Sequence, residues 1–125
     1  MFHVKIELKK SKIHRIGLFA AQEISKGEKI YTGNEKLDLF LSEGEFSRLP
    51  EDEKNTIKHY GYLDKEKHKW HLSFDDIRFC NHGSNGNITL KDKSLVAKRD
   101  IAKGEELTQD YREFEQLREK LRLVD

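Results

Sequence analysis

The chain has 125 residues, 35% hydrophobic and 38% charged, and its charges nearly cancel at a net +1. That length suits one domain with its own core. The near balance excludes the disordered class of low hydrophobicity with high net charge, and the strongly basic footprint of a general nucleic-acid binder. A lone Cys80 allows no intrachain disulfide framework and no multi-cysteine zinc cluster. No apolar run reaches membrane-spanning length, and Met1-Phe2-His3-Val4-Lys5 lacks the apolar core of a secretory leader. The expectation is a soluble cytoplasmic protein with no membrane partner and no direct nucleic-acid binding.

Val4, Ile6 and Leu8 alternate with polar residues, the pattern of a strand with one buried face. Lys9-Lys10-Ser11-Lys12 reads as its solvated end. Leu18-Phe19-Ala20 and Lys29-Ile30-Tyr31 read as short strands on either side of a Lys26-Gly27-Glu28 turn. The middle changes character, and a helical insert is expected over about 36–66. Ser42 and Glu45 have capping-box spacing. Pro50 suits the first position of a second helix, Glu51, Asp52 and Glu53 favour its positive end, and Gly61 closes it. Trp70-His71-Leu72, Ile88-Thr89-Leu90 and Leu95-Val96-Ala97 return to strand character. From about 112 to 123 the chain reads as helix, because Phe114, Leu117, Leu121 and Val124 share a face.

One stretch is echoed. Residues 19–30, Phe-Ala-Ala-Gln-Glu-Ile-Ser-Lys-Gly-Glu-Lys-Ile, align with residues 96–107, Val-Ala-Lys-Arg-Asp-Ile-Ala-Lys-Gly-Glu-Glu-Leu. Each copy reads as strand, core-plugging Ile, Lys-Gly-Glu turn, strand. Two such corners in a small chain predict a sheet-rich fold with pseudo-symmetric halves, which is architecture rather than chemistry. Four histidines, His59, His68, His71 and His82, fall in no metal-ligand spacing, so no metal site is expected.

Three segments carry chemistry. The first is Ser11-Lys12-Ile13-His14-Arg15-Ile16-Gly17-Leu18-Phe19-Ala20. The second is Arg78-Phe79-Cys80-Asn81-His82-Gly83-Ser84-Asn85-Gly86-Asn87. The third is Asp100-Ile101-Ala102-Lys103-Gly104-Glu105-Glu106-Leu107-Thr108-Gln109-Asp110-Tyr111. In this order they resemble the SET family of lysine methyltransferases, in particular small single-domain bacterial members. They are similar to the family's opening Gly-x-Gly segment, its Arg-Phe-x-Asn-His-Ser-Cys-x-Pro-Asn signature and its closing segment, which ends in a catalytic tyrosine. Taken singly, Tyr111, Asn81, His82 and Gly17 are as well explained by turns, strand ends and ordinary hydrogen bonding. Their common register is what raises the functional reading.

The resemblance implies a single domain over 1–125, mostly β with short helices. The implied fold is a SET-type β-clip of small sheets, with a pseudoknot-like threading of the closing segment and a C-terminal helix. It implies S-adenosyl-L-methionine as cofactor and a protein substrate carrying the target lysine. Methyl transfer from a sulfonium to an amine is an in-line displacement, so positioning and electrostatics do most of the work. The implied catalytic residue is Tyr111. Backbone around His82 would hold the adenine, and Asn81 the amino-acid end. The turn Arg15-Ile16-Gly17 would approach the cofactor closely, with Arg78 and Phe114 as further cofactor contacts. Phe114 is equally placed to anchor the final helix, and Arg78 to serve a structural ion pair. Tyr31, Tyr60 and Tyr62 are the candidates for a substrate channel. Three departures stand out: Arg15 replaces the first glycine, Gly83-Ser84 replaces Ser-Cys, and Gly86 replaces proline. They predict a looser loop over 83–86, and they keep open the alternative of a catalytically weak or inactive SET-like domain that binds cofactor or protein.

Overall fold

In the computed structural model, which describes residues 1–64 and 66–110, the two echoed corners pair with each other. Ile24 and Ile101 exchange backbone hydrogen bonds, Ile24 N to Ile101 O at 2.9 Å and Ile101 N to Ile24 O at 2.8 Å. Gly27 N donates to Ala97 O and Gly104 N to Ala20 O, both at 2.8 Å. Ala97 N donates to Glu28 O at 3.0 Å, and Ala20 N to Glu105 O at 2.9 Å. Within each corner the Glu side chain accepts from the backbone three residues earlier, Ser25 N to Glu28 Oε1 at 3.0 Å and Ala102 N to Glu105 Oε1 at 3.1 Å. The turn glycines have φ of +84° and +92°, a conformation that residues with a Cβ resist. The repeat in the sequence is therefore a local pseudo-twofold in the structure, and both isoleucines are 2% exposed.

These corners belong to one compact unit, Met1–Asn34 with Phe79–Asp110. Strand β1 (Ile6–Lys10) pairs antiparallel with β2 (Ile16–Ala20). The unit also holds β3 (Lys29–Thr32), and its other sheet strands lie in the second segment. The second unit, Glu35–Arg78, carries β4 (Leu39–Ser42), α1 (Glu43–Ser47), α2 (Glu51–Tyr60), β5 (Tyr62–Asp64) and β6 (Lys69–Leu72). The chain returns to the first unit with β7 (Asn81–His82), β8 (Ile88–Lys91), β9 (Ser94–Ala97) and β10 (Thr108–Gln109). The five-stranded sheet of the first unit has the order β3-β9-β8-β10-β7. β10 lies between β7 and β8 and runs parallel to both, with Thr108 opposite Asn81 and Gln109 opposite both His82 and Ile88. Because β7 and β8 are joined by residues 83–87, the closing segment occupies the slot beside that loop, the threaded arrangement expected. Leu18, Ile30, Ile88 and Leu107 are wholly buried around it.

In the second unit β4 and β5 flank β6. Phe46 stacks on Trp70 at 4.3 Å and, with Ile57, forms a small apolar cluster. Ser42 and Glu45 make the complete capping box of α1. Pro50 is the N-cap of α2 rather than its first residue, and Gly61 closes that helix through Gly61 N to Ile57 O at 2.8 Å. The expected insert over 36–66 thus holds two helices and also strand. β1 departs from expectation: Ile6 is half-buried and Leu8 is 38% exposed. Among the described residues it pairs only with β2, and β2 carries the buried side chains of that ribbon. Among the described residues no helix is long and apolar enough to cross a membrane. The helix expected over 112–123 lies outside the described residues, as do Tyr111 and Phe114.

Candidate functional site

The first unit brings the opening segment, the Asn-His pair and the closing segment together. Asn81 is 7% exposed, and its Nδ2 shares its two hydrogens among acceptors on every side, Glu106 Oε2 at 2.9 Å, Ser11 Oγ at 3.2 Å, and the carbonyls of His14 and Ile16 at 3.3 Å each. Ser11 Oγ donates to the Glu106 carboxylate at 2.8 and 2.9 Å and accepts from Ile13 N at 2.9 Å. One carboxylate therefore ties together residues 95 and 25 positions away. Gly17 lies against it: a Cβ there would overlap Glu106 Oε2 and sit 2.9 Å from Ser11 Cβ. The space that Gly17 leaves is filled by the chain's own carboxylate.

Arg15 is exposed and holds φ of +36°. That is the left-handed region which glycine enters freely and other residues at a cost of about 1–2 kcal/mol. The Gly-x-Gly pattern thus has a conformational reason at its first glycine, and this chain accepts the strain in an Arg. His82 is half-buried, pairs with Gln109 in the sheet, and has Nδ1 4.0 Å from Asp110 Oδ1. Asn87, 1% exposed, locks the closing segment: Nδ2 donates to Glu106 O at 2.8 Å and to Glu105 Oε2 at 3.1 Å, while Oδ1 accepts from Thr108 N at 2.9 Å. The loop over 83–86 is built by packing rather than looseness at Gly86. A Cβ at that position would lie 2.7 Å from Thr108 O and Asp110 N and 2.8 Å from the Gln109 carbonyl carbon. Arg99 also donates to the carbonyls of Asn85 and Gly86, each at 3.4 Å.

The remaining candidates lie on other elements. Tyr31 sits on β3, at the opposite edge of the five-stranded sheet from β7, and packs against Phe2 at 4.9 Å. The structure does not bring it to Asn81 and His82. Arg78 lies in a short 3-10 turn, Asp76–Phe79, half-buried. Tyr60 ends α2, edge-on to His59 at 4.5 Å.

Tyr62 belongs to a chain of polar groups that sequence reasoning did not find. Its hydroxyl is 2.7 Å from His71 Nδ1, and His71 Nε2 is 2.6 Å from Asp38 Oδ2, with Phe40 stacked on the imidazole at 4.4 Å. With Nε2–H donating to the carboxylate, Nδ1 accepts the phenol proton, so every member is satisfied. Burial first, then the Asp64 carboxylate, pushes the Tyr62 hydroxyl above the usual tyrosine range. Ser11 and Glu106 also went unremarked as site residues. The available signal was in the echo, where Glu106 stands opposite Lys29, a charge reversal between otherwise matched corners.

Comparison with known proteins agrees with this geometry. The SET domain family model matches residues 15–112. Its span takes in Gly17, the Asn81-His82 pair, Glu106 and Tyr111, and the chain belongs to the SET-domain family. Among solved structures it is similar to Chaetomium thermophilum Polycomb Repressive Complex 2 in an apo form, with 27% identity and a TM-score of 0.68 over 94% of this chain and 16% of that one. It is likewise similar to that complex in an autoinhibited conformation bound to S-adenosylmethionine, with 28% identity and a TM-score of 0.64 over 97% of this chain and 17% of that one. A Plasmodium falciparum protein described as a candidate histone methyltransferase matches at 21% identity and a TM-score of 0.61, over 87% of this chain and 94% of that one, and shows the fold alone. The chain spans only 15–17% of the length of the first polycomb chains it matches. No curated protein sequence matches it.

Proposed function

We propose that this chain is an S-adenosyl-L-methionine-dependent methyltransferase acting on the side-chain amine of a lysine in a protein substrate. In this reading residues 1–125 work as one SET domain, with the unit Glu35–Arg78 inserted between its halves. The observation that carries the reading is the convergence on Glu106 of Ser11, Gly17 and Asn81, in a chain whose residues 15–112 match the family model. Such a built junction suits a cofactor's polar end: Asn81 commits its amide hydrogens inward and keeps its oxygen as an acceptor. When bound, the cofactor supplies the methyl group as a sulfonium. The chain's own residues do the rest. Backbone at Ile16 and Gly17 borders the site, and backbone at His82 meets the adenine. Asn81 receives the amino-acid end, where Arg78 is the candidate for the carboxylate. Tyr111 orients the lysine amine, and Tyr60 and Tyr62 are the remaining channel candidates. Phe114 would pack on the adenine or anchor the closing helix.

A second reading, a SET-like module that binds cofactor or protein without turnover, draws on one finding. Gly17 and the NH2 group of Asn81 already have structural employment against Glu106, so their presence serves the fold as well as a site. Calorimetric titration with S-adenosylhomocysteine tests the cofactor half of both readings. One site per chain is expected, and no heat at millimolar ligand would sink the enzyme assignment.

A further inference from the structure

The Asn81 amide is held one way round. Its NH2 faces Glu106 Oε2 at 2.9 Å, two main-chain carbonyls at 3.3 Å, and the Ser11 hydroxyl at 3.2 Å, whose own proton lies toward Glu106. Carbonyls and a carboxylate only accept hydrogen bonds. Turning the amide over would set Oδ1 against three acceptors and strand them, so this orientation is fixed by charge and not by shape alone. Oδ1 then points away from the cluster and takes no hydrogen bond from any described residue. It is not sealed either, since no buried side-chain oxygen or nitrogen among the described residues lacks a partner.

Glu106 is the strongest of these acceptors and the only charged one. It is itself held by Ser11 from one side and confined by Gly17 from another. We infer that Glu106 is a positioning residue, which fixes the Asn81 amide so that Oδ1 is presented as the acceptor for the α-ammonium group of an adenosyl amino acid. This assignment rests on the cofactor reading above and adds to it a residue that acts only through another.

The test compares two ligands that share adenosine and sulfur and differ in the amino-acid end: S-adenosylhomocysteine and 5′-methylthioadenosine. In Glu106→Gln the new side chain is neutral and both donates and accepts, so the strongest pull on the Asn81 amide is lost and only the two carbonyls at 3.3 Å still favour its orientation. Losing a hydrogen bond to a charged group is expected to weaken S-adenosylhomocysteine about tenfold, while methylthioadenosine changes less than about twofold, since the contact in question is absent from it. Ser11→Ala, a milder variant that leaves Glu106 held by Asn81, is expected to weaken S-adenosylhomocysteine alone by roughly two- to threefold. Both ligands weakened by the same factor, or neither weakened, would overturn the assignment. A wild-type protein that binds methylthioadenosine but gains nothing from the amino-acid end would overturn it too. A wild-type protein that binds neither ligand overturns the cofactor reading itself, and this assignment with it. A ligand-free measurement reads the anchor directly. By NMR the Asn81 side-chain amide protons should exchange slowly in the wild type and faster in Glu106→Gln, and equal exchange would overturn the anchoring.

Discussion

Replacing Gly86 by alanine should damage the closing segment more than its single added methyl suggests. The new Cβ would meet three backbone atoms at 2.7–2.8 Å, on Thr108, Gln109 and Asp110. Relief needs a shift of roughly half an ångström or more before ordinary contact is restored. Neither side can yield by rotating a side chain, because both are main chain. Two hydrogen bonds lie in the path of any shift, Gly83 N to Gln109 O and Thr108 N to Asn87 Oδ1, both at 2.9 Å. Overpacking costs about 1–3 kcal/mol, and one weakened hydrogen bond adds about 1 kcal/mol. A total of about 2–4 kcal/mol is a large share of the stability of an ordinary domain, roughly 5–15 kcal/mol. For a chain of this size it corresponds to a fall in melting temperature of roughly 6–20 °C. Urea and thermal unfolding of Gly86→Ala beside Gly44→Ala is the assay. Gly44 lies in α1 with no atom nearer than 3.9 Å to an added Cβ, so alanine there should be neutral or stabilising by up to about 1 kcal/mol. If Gly86→Ala unfolds within about 0.5 kcal/mol of the wild type, the packing argument for the threaded segment is wrong.

Asn87→Ala should cost about 2–4 kcal/mol by leaving Thr108 N and Glu106 O without their partner, which chemical denaturation would measure. The Tyr62 hydroxyl has its proton affinity raised in the folded state, mainly by burial. That contribution is complete below the unfolded tyrosine value near 10 and is lost as pH rises above it, at up to about 1.4 kcal/mol per pH unit. Alkaline denaturation monitored by phenolate absorbance should therefore be shallower in Tyr62→Phe, and identical profiles would contradict the burial argument. Tyr111→Phe should fold and bind cofactor as the wild type does, with turnover reduced roughly five- to 150-fold, the equivalent of about 1–3 kcal/mol. A free lysine is neutral in only about one side chain per thousand at pH 7.4. The rate at sub-saturating substrate should thus climb close to tenfold per pH unit over the mildly alkaline range, and a flat profile with chemistry limiting would point to an internal base.

Local chemistry was legible where it is decided within a few residues. The Ser42–Glu45 capping box, the acidic first turn of α2 and the Lys-Gly-Glu turns all follow from short-range rules, and the structure has each of them. The matched corners 19–30 and 96–107 were legible as a repeat, but sequence alone could not say that they bond to one another across more than 70 residues. The same limit hid Ser11 and Glu106, whose contact spans 95 positions. It also hid Asp38 and His71, which a strand pairing brings together. Gly17 and Gly86 were read as places for ligand approach and loop freedom, because a missing Cβ does not reveal what fills its space. Leu8 shows the reverse error: alternation predicts a buried face, but a ribbon paired along one edge has too little on either side to cover it.

The most direct test of the central claim is transfer of label from S-adenosyl-L-methionine carrying a tritiated or heavy methyl group, incubated with this protein and a cell extract. The account predicts that mass spectrometry finds the label on lysine side-chain nitrogen of one or a few proteins, at a rate that Tyr111→Phe sharply reduces. Label on another residue type, or transfer unchanged in Tyr111→Phe, would contradict it, as would a folded protein that binds S-adenosylhomocysteine and labels nothing.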